Sequence, residues 1–318
     1  MKRKSKMVLK VIIIILIVLC VLLLIAFINH RIKTESEKTL LNPIGQLVEV
    51  EGKNMSVYTE GEGEKTLVFL SGGGTPSPIL DFKLLYSQLA DEYKIAVVEK
   101  FGYGFSDDSD RSRDIDTMLD DTRKALSEAG VQAPYVLCPH SLSGLEAIYW
   151  AQKYPDEVSA IIGLDMAAPE YYTDLNIDAN VLKLNQVLCE MGLVRLISGS
   201  VNILYKNSEL TENELSIIKA IYSRRCVSDA VVNEGEICKE NAKIIRDGAM
   251  PEMPVLMFIS NGEGTNYDKK AWVEISVSYA ENLENGGYIK LDCPHYIHNF
   301  EHRKIAEEIK RFLGEDDE

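Results

Sequence analysis

Ser141 lies in the run Pro139-His140-Ser141-Leu142-Ser143-Gly144. An apolar stretch before it, Tyr135–Cys138, reads as a strand, and Leu145–Tyr154 after it reads as a helix. A serine at the top of a sharp strand-to-helix turn has its hydroxyl exposed for attack on a carbonyl carbon. Such a turn needs small neighbours two residues to either side, because strand and helix nearly collide, and Pro139 and Ser143 occupy those places. The turn also aims the Leu142 N–H at the oxyanion that such an attack creates. The same six residues suit a plainer role, with Ser141 or Ser143 as the N-cap of a helix. The chemistry therefore depends on what the rest of the chain supplies.

The elements around this turn alternate in type. Gln46–Val50 and Asn54–Tyr58 flank Glu51-Gly52-Lys53 and predict a hairpin. Strands are expected at Thr66–Leu70, Lys94–Val98, Ala160–Leu164, Val255–Ser260 and Tyr288–Leu291. Helical spacing marks Leu80–Tyr93, Arg113–Ala129, Ala271–Asn285 and Ile305–Phe312. Strands alternating with helices predict an α/β fold, a mostly parallel sheet covered on both faces. Residues 169–251 interrupt the rhythm with helical periodicity alone, which predicts a helical cap inserted between two core strands. The expected organisation is a cytoplasmic tip and anchor over 1–33, a stalk over 34–44, a core over 45–168 and 252–318, and the cap.

Val11–Ile28 is a run of 18 apolar residues, counting Cys20. With Met7, Val8 and Leu9 it is long enough to span a bilayer, so residues 7–28 are expected to contact lipid. Lys2, Arg3, Lys4, Lys6 and Lys10 precede it. His30, Arg31 and Lys33 follow, and then Glu35 and Glu37. The heavier positive flank predicts a cytoplasmic N-terminus and a catalytic domain outside the cell membrane. A cleaved signal peptide fits less well: Ala26-Phe27-Ile28 lacks small residues before a cut, and Leu19 is large for a lipoprotein site at Cys20.

The 318 residues carry a net charge of −15. Residues 1–33 hold seven Lys or Arg and no acid, so the remainder carries 27 basic against 49 acidic residues, a net of −22. That balance repels polynucleotides and anionic headgroups, and no nucleic-acid partner is expected. The spacing of Cys20, Cys138, Cys189, Cys226, Cys238 and Cys293 matches no zinc pattern. These cysteines are expected to be reduced and buried.

Four stretches in order resemble the α/β-hydrolase superfamily: Leu70-Ser71-Gly72-Gly73-Gly74, Glu99-Lys100-Phe101-Gly102-Tyr103-Gly104-Phe105-Ser106-Asp107, the Ser141 turn, and Cys293-Pro294-His295-Tyr296. The likeness runs from about Gly45 to Gly314. It implies an α/β-hydrolase fold with a helical cap. The first stretch resembles the family's oxyanion loop, with Ser71 in place of its usual histidine; Gly73 is then the second oxyanion donor and Gly74 the alternative. The second resembles the family's Asp-x-x-Gly-x-Gly-x-Ser loop, with Glu99 at its head in a structural role.

Of five histidines, His30 abuts the apolar run and His140, beside the nucleophile, supports the turn by family analogy. The family's histidine follows the last strand, which selects His295. His298 and His302 fall on the next helix as surface residues. The acid is expected at Glu263, in Ser260-Asn261-Gly262-Glu263, with Asp165 at the end of the preceding strand as the alternative. The resemblance implies a serine hydrolase of small-molecule esters, thioesters or amides through a Ser-His-acid triad, with no cofactor and no metal. A proline-iminopeptidase-like peptidase is the closest enzymatic alternative. A non-catalytic binding module is the other, because the turn's glycines and the loop's histidine are replaced. Dehalogenase chemistry needs a carboxylate at position 141 and is excluded.

Overall fold

The computed structural model describes residues 2–173, 175, 177–196, 205, 209–265 and 267–314. Eight strands form one sheet: β1 (Gln46–Val50), β2 (Lys53–Glu60), β3 (Thr66–Leu70), β4 (Lys94–Glu99), β5 (Tyr135–Pro139), β6 (Val158–Leu164), β7 (Val255–Ile259) and β8 (Gly286–Lys290). Their order is β1-β2-β4-β3-β5-β6-β7-β8. The pairs β1/β2 and β2/β4 are antiparallel and all others parallel.

The inner parallel strands β3 to β7 are largely apolar and buried because both sheet faces are covered there, whereas the edge strand β8 is half exposed. Alternate residues separate onto the two sides. Val68, Leu70, Ala96, Val98, Leu137 and Met257 enter one core, and Leu67, Phe69, Ile95, Val97, Val136 and Phe258 enter the other. Helices α2 (Ile115–Glu128) and α3 (Ser143–Lys153) cover the first face. The residues around Phe82 and the C-terminal helix cover the second. Helix α2 begins at Asp114, whose carboxylate accepts the Thr117 N–H at 2.9 Å, an N-cap that satisfies an otherwise unpaired first-turn donor.

The helix expected over Leu80–Tyr93 is two single turns, Pro78–Asp81 and Lys83–Tyr86. Buried Asp81 takes a hydrogen bond from His298 there, which ties that segment to the far end of the chain.

Between β6 and β7 the described residues form only helices, chiefly α4 (Ala179–Glu190), α5 (Glu212–Arg225) and α6 (Asp229–Arg246). Helix α7 (Lys269–Asn282) and helix α8 (His302–Gly314) flank β8. Cys189, at the end of α4, and Cys226, just past α5, are paired as a disulfide. This departs from the expectation of reduced cysteines: the two helix ends converge, which their separation of 37 positions does not reveal. Cys138, Cys238 and Cys293 are free and buried, and Cys20 is free and exposed.

Helix α1 (Lys2–Ser36) contains the apolar run and is long and apolar enough to cross a membrane. Its C-terminal end docks on the helices between β6 and β7. Arg195 grips Glu37 at 2.7 and 2.8 Å and donates to His30 Nδ1 at 3.0 Å. Gly192 lies flat against the same helix: a Cβ there would sit 2.4 Å from that of His30 and 3.0 Å from the Ala26 carbonyl.

Candidate active site

Ser141 follows β5 with φ of 55°, in the left-handed region that a β-carbon disfavours. The Ser143 hydroxyl donates to the Leu70 carbonyl at 2.6 Å and accepts the His140 N–H at 3.0 Å. It therefore locks the turn to β3, which is a reason for serine rather than glycine at 143. The tight crossing falls one residue later than the sequence spacing implies. A Cβ on Gly144 would lie 2.4 Å from the Ala167 carbonyl oxygen.

His295 brings the turn's partner. Its Nε2 is 2.8 Å from Ser141 Oγ and its Nδ1 is 2.5 Å from Asp165 Oδ2. Asp165 is 1% exposed. Its Oδ1 accepts the Ser260 N–H at 2.8 Å and the Trp272 indole N–H at 3.0 Å. With both oxygens engaged, the carboxylate is fixed in direction and orients Nδ1–H, which leaves Nε2 to accept the serine proton.

The structure places Asp165, not Glu263, against the imidazole, correcting the preferred acid. Gly262 turns the chain with φ of 81°, and the Glu263 carboxylate faces outward, 60% exposed, 3.5 Å from Lys269. Glu263 does reach His295, but through its backbone: its carbonyl accepts the His295 N–H at 2.8 Å. Trp272 and the Ser260 amide were not legible as site residues, because they lie 107 and 95 positions from Asp165 in sequence.

Gly72, Gly73, Ser141, Leu142 and His295 share the wall of a cavity of about 330 Å³. Gly72 is required by Ser141, whose Cβ would be 2.8 Å from a side chain at that position. The Gly74 N–H already donates to the Tyr103 hydroxyl at 3.1 Å. That amide is therefore engaged, whereas Gly73 and Leu142 border the cavity beside Ser141. Tyr172, Ile177, Leu182, Val231 and Cys238 form the cavity's apolar side.

His140 Nε2 lies 3.2 Å from the His295 carbonyl. A carbonyl only accepts, so this nitrogen carries the proton. Burial, together with His295 and His298, holds the His140 pKa well below the ordinary imidazole value, and the ring is neutral. His298, expected on the surface, is fully buried and 2.8 Å from Asp81. His302 begins α8. Glu99 accepts the Phe105 N–H at 2.8 Å and sits against Gly104, and burial pushes its pKa up to about 7. Among the described residues, no three His, Cys, Asp or Glu side chains are arranged to hold a metal ion.

One buried assembly was missed from sequence. Glu234 of α6, 3% exposed, pairs with Arg113, lies 3.6 Å from Lys100 and accepts the Tyr103 hydroxyl at 2.6 Å. Burial favours its neutral form, but Lys100 and Arg113 outweigh this and hold the carboxyl below its usual range. Through Tyr103 the helical segment grips Gly74 and the glycine-rich loop after β3. Replacing Glu234 with glutamine should cost about 3–5 kcal/mol, since it strands a buried arginine. Scanning calorimetry should show a lower Tm for E234Q, and an unchanged Tm would contradict the assignment.

Residues 65–189 match the sequence profile described as the alpha/beta hydrolase fold. An uncharacterized protein of Bacillus subtilis, YbdG, is 40% identical over 251 residues, 77% of this chain and 77% of its own length. Epoxide hydrolase 1 of Caenorhabditis elegans is 22% identical over 278 residues, 81% of this chain and 67% of its own. The crystal structure of Cfl2 from Burkholderia cenocepacia superposes with a TM-score of 0.63 at 19% identity, over 84% of this chain and 94% of that one.

Proposed function

Because the chain belongs to the α/β-hydrolase superfamily and is a hydrolase, we propose that it is a membrane-anchored serine hydrolase of carboxylic esters, with thioesters and amides as the neighbouring substrate classes. The observation that carries this reading is the continuous line Ser141 Oγ, His295, Asp165, at 2.8 and 2.5 Å. In the proposed cycle Ser141 attacks the carbonyl carbon while His295 takes its proton. The Gly73 and Leu142 amides hold the oxyanion. His295 then protonates the leaving group, and water hydrolyses the acyl-serine by the same steps. Asp165 keeps the ring in the required tautomer and stabilises its positive charge.

The same geometry argues against epoxide opening, despite the likeness to an epoxide hydrolase. An epoxide would leave an alkyl ether on Ser141, and water does not cleave an ether as it cleaves an ester. The helices over 169–251 act as the cap in this reading. A fluorophosphonate probe is the direct test. One equivalent should add to the peptide bearing Ser141, as read by mass spectrometry. No adduct, or one elsewhere, would refute the triad.

In the same reading, α1 is an uncleaved anchor with its lysine-rich end in the cytoplasm. Protease added to intact cells should therefore remove the domain beyond Thr34. Protection until lysis would reverse the orientation.

A further inference from the structure

Helix α4 has none of its 12 residues buried. Its exposed residues include Asn180, Lys183 and Asn185 together with an apolar stripe. Val181, Leu184, Val187 and Leu188 recur three and four positions apart and so share a stripe, with exposures of 52%, 58%, 52% and 37%. Leu196, just beyond, is 78% exposed. The inward side is engaged: Leu182 lines the Ser141 cavity with Ile177, and Gln186 bonds Asp229 of α6 at 2.6 Å. A helix on a water-exposed surface carries mainly polar residues on its outer face, and this one exposes four large apolar residues there.

The position of α4 places that stripe close to helix α1. The helix runs from the cavity at its N-terminal half to Gly192, which packs on Ala26 and His30 of α1. Ala26 belongs to the apolar run, whose end marks the bilayer boundary. At 1.5 Å per residue, α4 spans about 18 Å, so the whole distance from bilayer boundary to catalytic cavity is one short helix.

We propose that α4 beds its stripe into the bilayer that α1 spans, and that the substrate is an acyl ester whose apolar chain enters from that bilayer between α4 and α6. The proposal rests on the anchored serine-hydrolase reading. The association is apolar rather than electrostatic, since the domain beyond residue 33 is strongly acidic.

Two measurements on the full-length protein in phosphatidylcholine vesicles test it. Trp150 and Trp272 are buried, so Leu184→Trp adds a distinct reporter. Lipids brominated on their acyl chains should quench its added emission about twofold more than that of Glu128→Trp, on the far helix α2. Equal quenching overturns the proposal, as does cross-linking of position 184 to a second copy, which would make the stripe a dimer contact. In the kinetic arm, Leu184→Glu with Val187→Glu should lower turnover of a long-chain ester held in vesicles about tenfold. Turnover of a short soluble ester should be unchanged. Equal effects on both esters refute bilayer delivery. Quenching at 184 together with a Ser141 inert to fluorophosphonate would leave the docking standing and remove the hydrolase reading.

Discussion

Ser141→Ala should lower kcat for short p-nitrophenyl esters by about 10⁴–10⁶-fold while leaving the fold intact. The loss is large because the hydroxyl is the proposed nucleophile and nothing else in the cavity replaces it. Cys238 lines the same wall, but burial pushes its thiol pKa up to about 12, which leaves little reactive thiolate. The proposed oxyanion donors Gly73 and Leu142 remain in the variant, so some catalysis over water should persist. The measurement is steady-state hydrolysis alongside circular dichroism. A well-folded variant that keeps most of its activity would remove Ser141 from the mechanism.

Asp165→Asn should lower kcat by about 10⁴-fold, the cost of a ring held in the wrong tautomer. The amide would present its NH₂ to His295 Nδ1 or turn it toward Ser260 and Trp272, whose N–H groups now meet Oδ1. The first arrangement forces the tautomer protonated at Nε2, which cannot accept the serine proton, and the second opposes the NH₂ to the Ser260 and Trp272 donors. Glu263→Gln should change kcat by less than about twofold, because an exposed side chain beside Lys269 contributes little. The His295 loop keeps its grip on residue 263 in that variant, since the bond uses the backbone carbonyl. The reverse ranking of these two folded variants would return the acid to Glu263.

The sheet was legible because buried parallel strands are short apolar runs bounded by polar or turn-forming residues, and most such runs here coincide with observed strands. The turn at Ser141 and the histidine after the last strand were legible because each lies within a few residues of its own strand end. The acid was not, for a specific reason. Glu263 and Asp165 both follow strand ends, and the choice between them depends on Gly262 sending residue 263 outward and on Trp272 and the Ser260 amide fixing Asp165. Both depend on three-dimensional approach, not on local pattern. The Glu234 assembly was hidden in the same way: its members, at 100, 103, 113 and 234, meet only after the helical segment has folded over the core.

Among the described residues, three that are not glycine hold positive φ: Glu51 in a hairpin turn, Ser141 and Asp165, the latter two at 55° and 49°. A β-carbon in that region costs about 1–3 kcal/mol. Two of the three proposed triad members are therefore held in a conformation that their own backbone resists, and the surrounding core supplies the force. Folding and turnover make opposing demands at these positions. Ser141→Gly should melt higher than Ser141→Ala, with a gain of about 1 kcal/mol from relief of that strain, although neither can form an acyl-enzyme. Selection of random variants for heat resistance alone should therefore recover glycine at 141 and yield an inactive, more durable protein, whereas glycine at 165 would strand the buried Ser260 and Trp272 donors and is not expected.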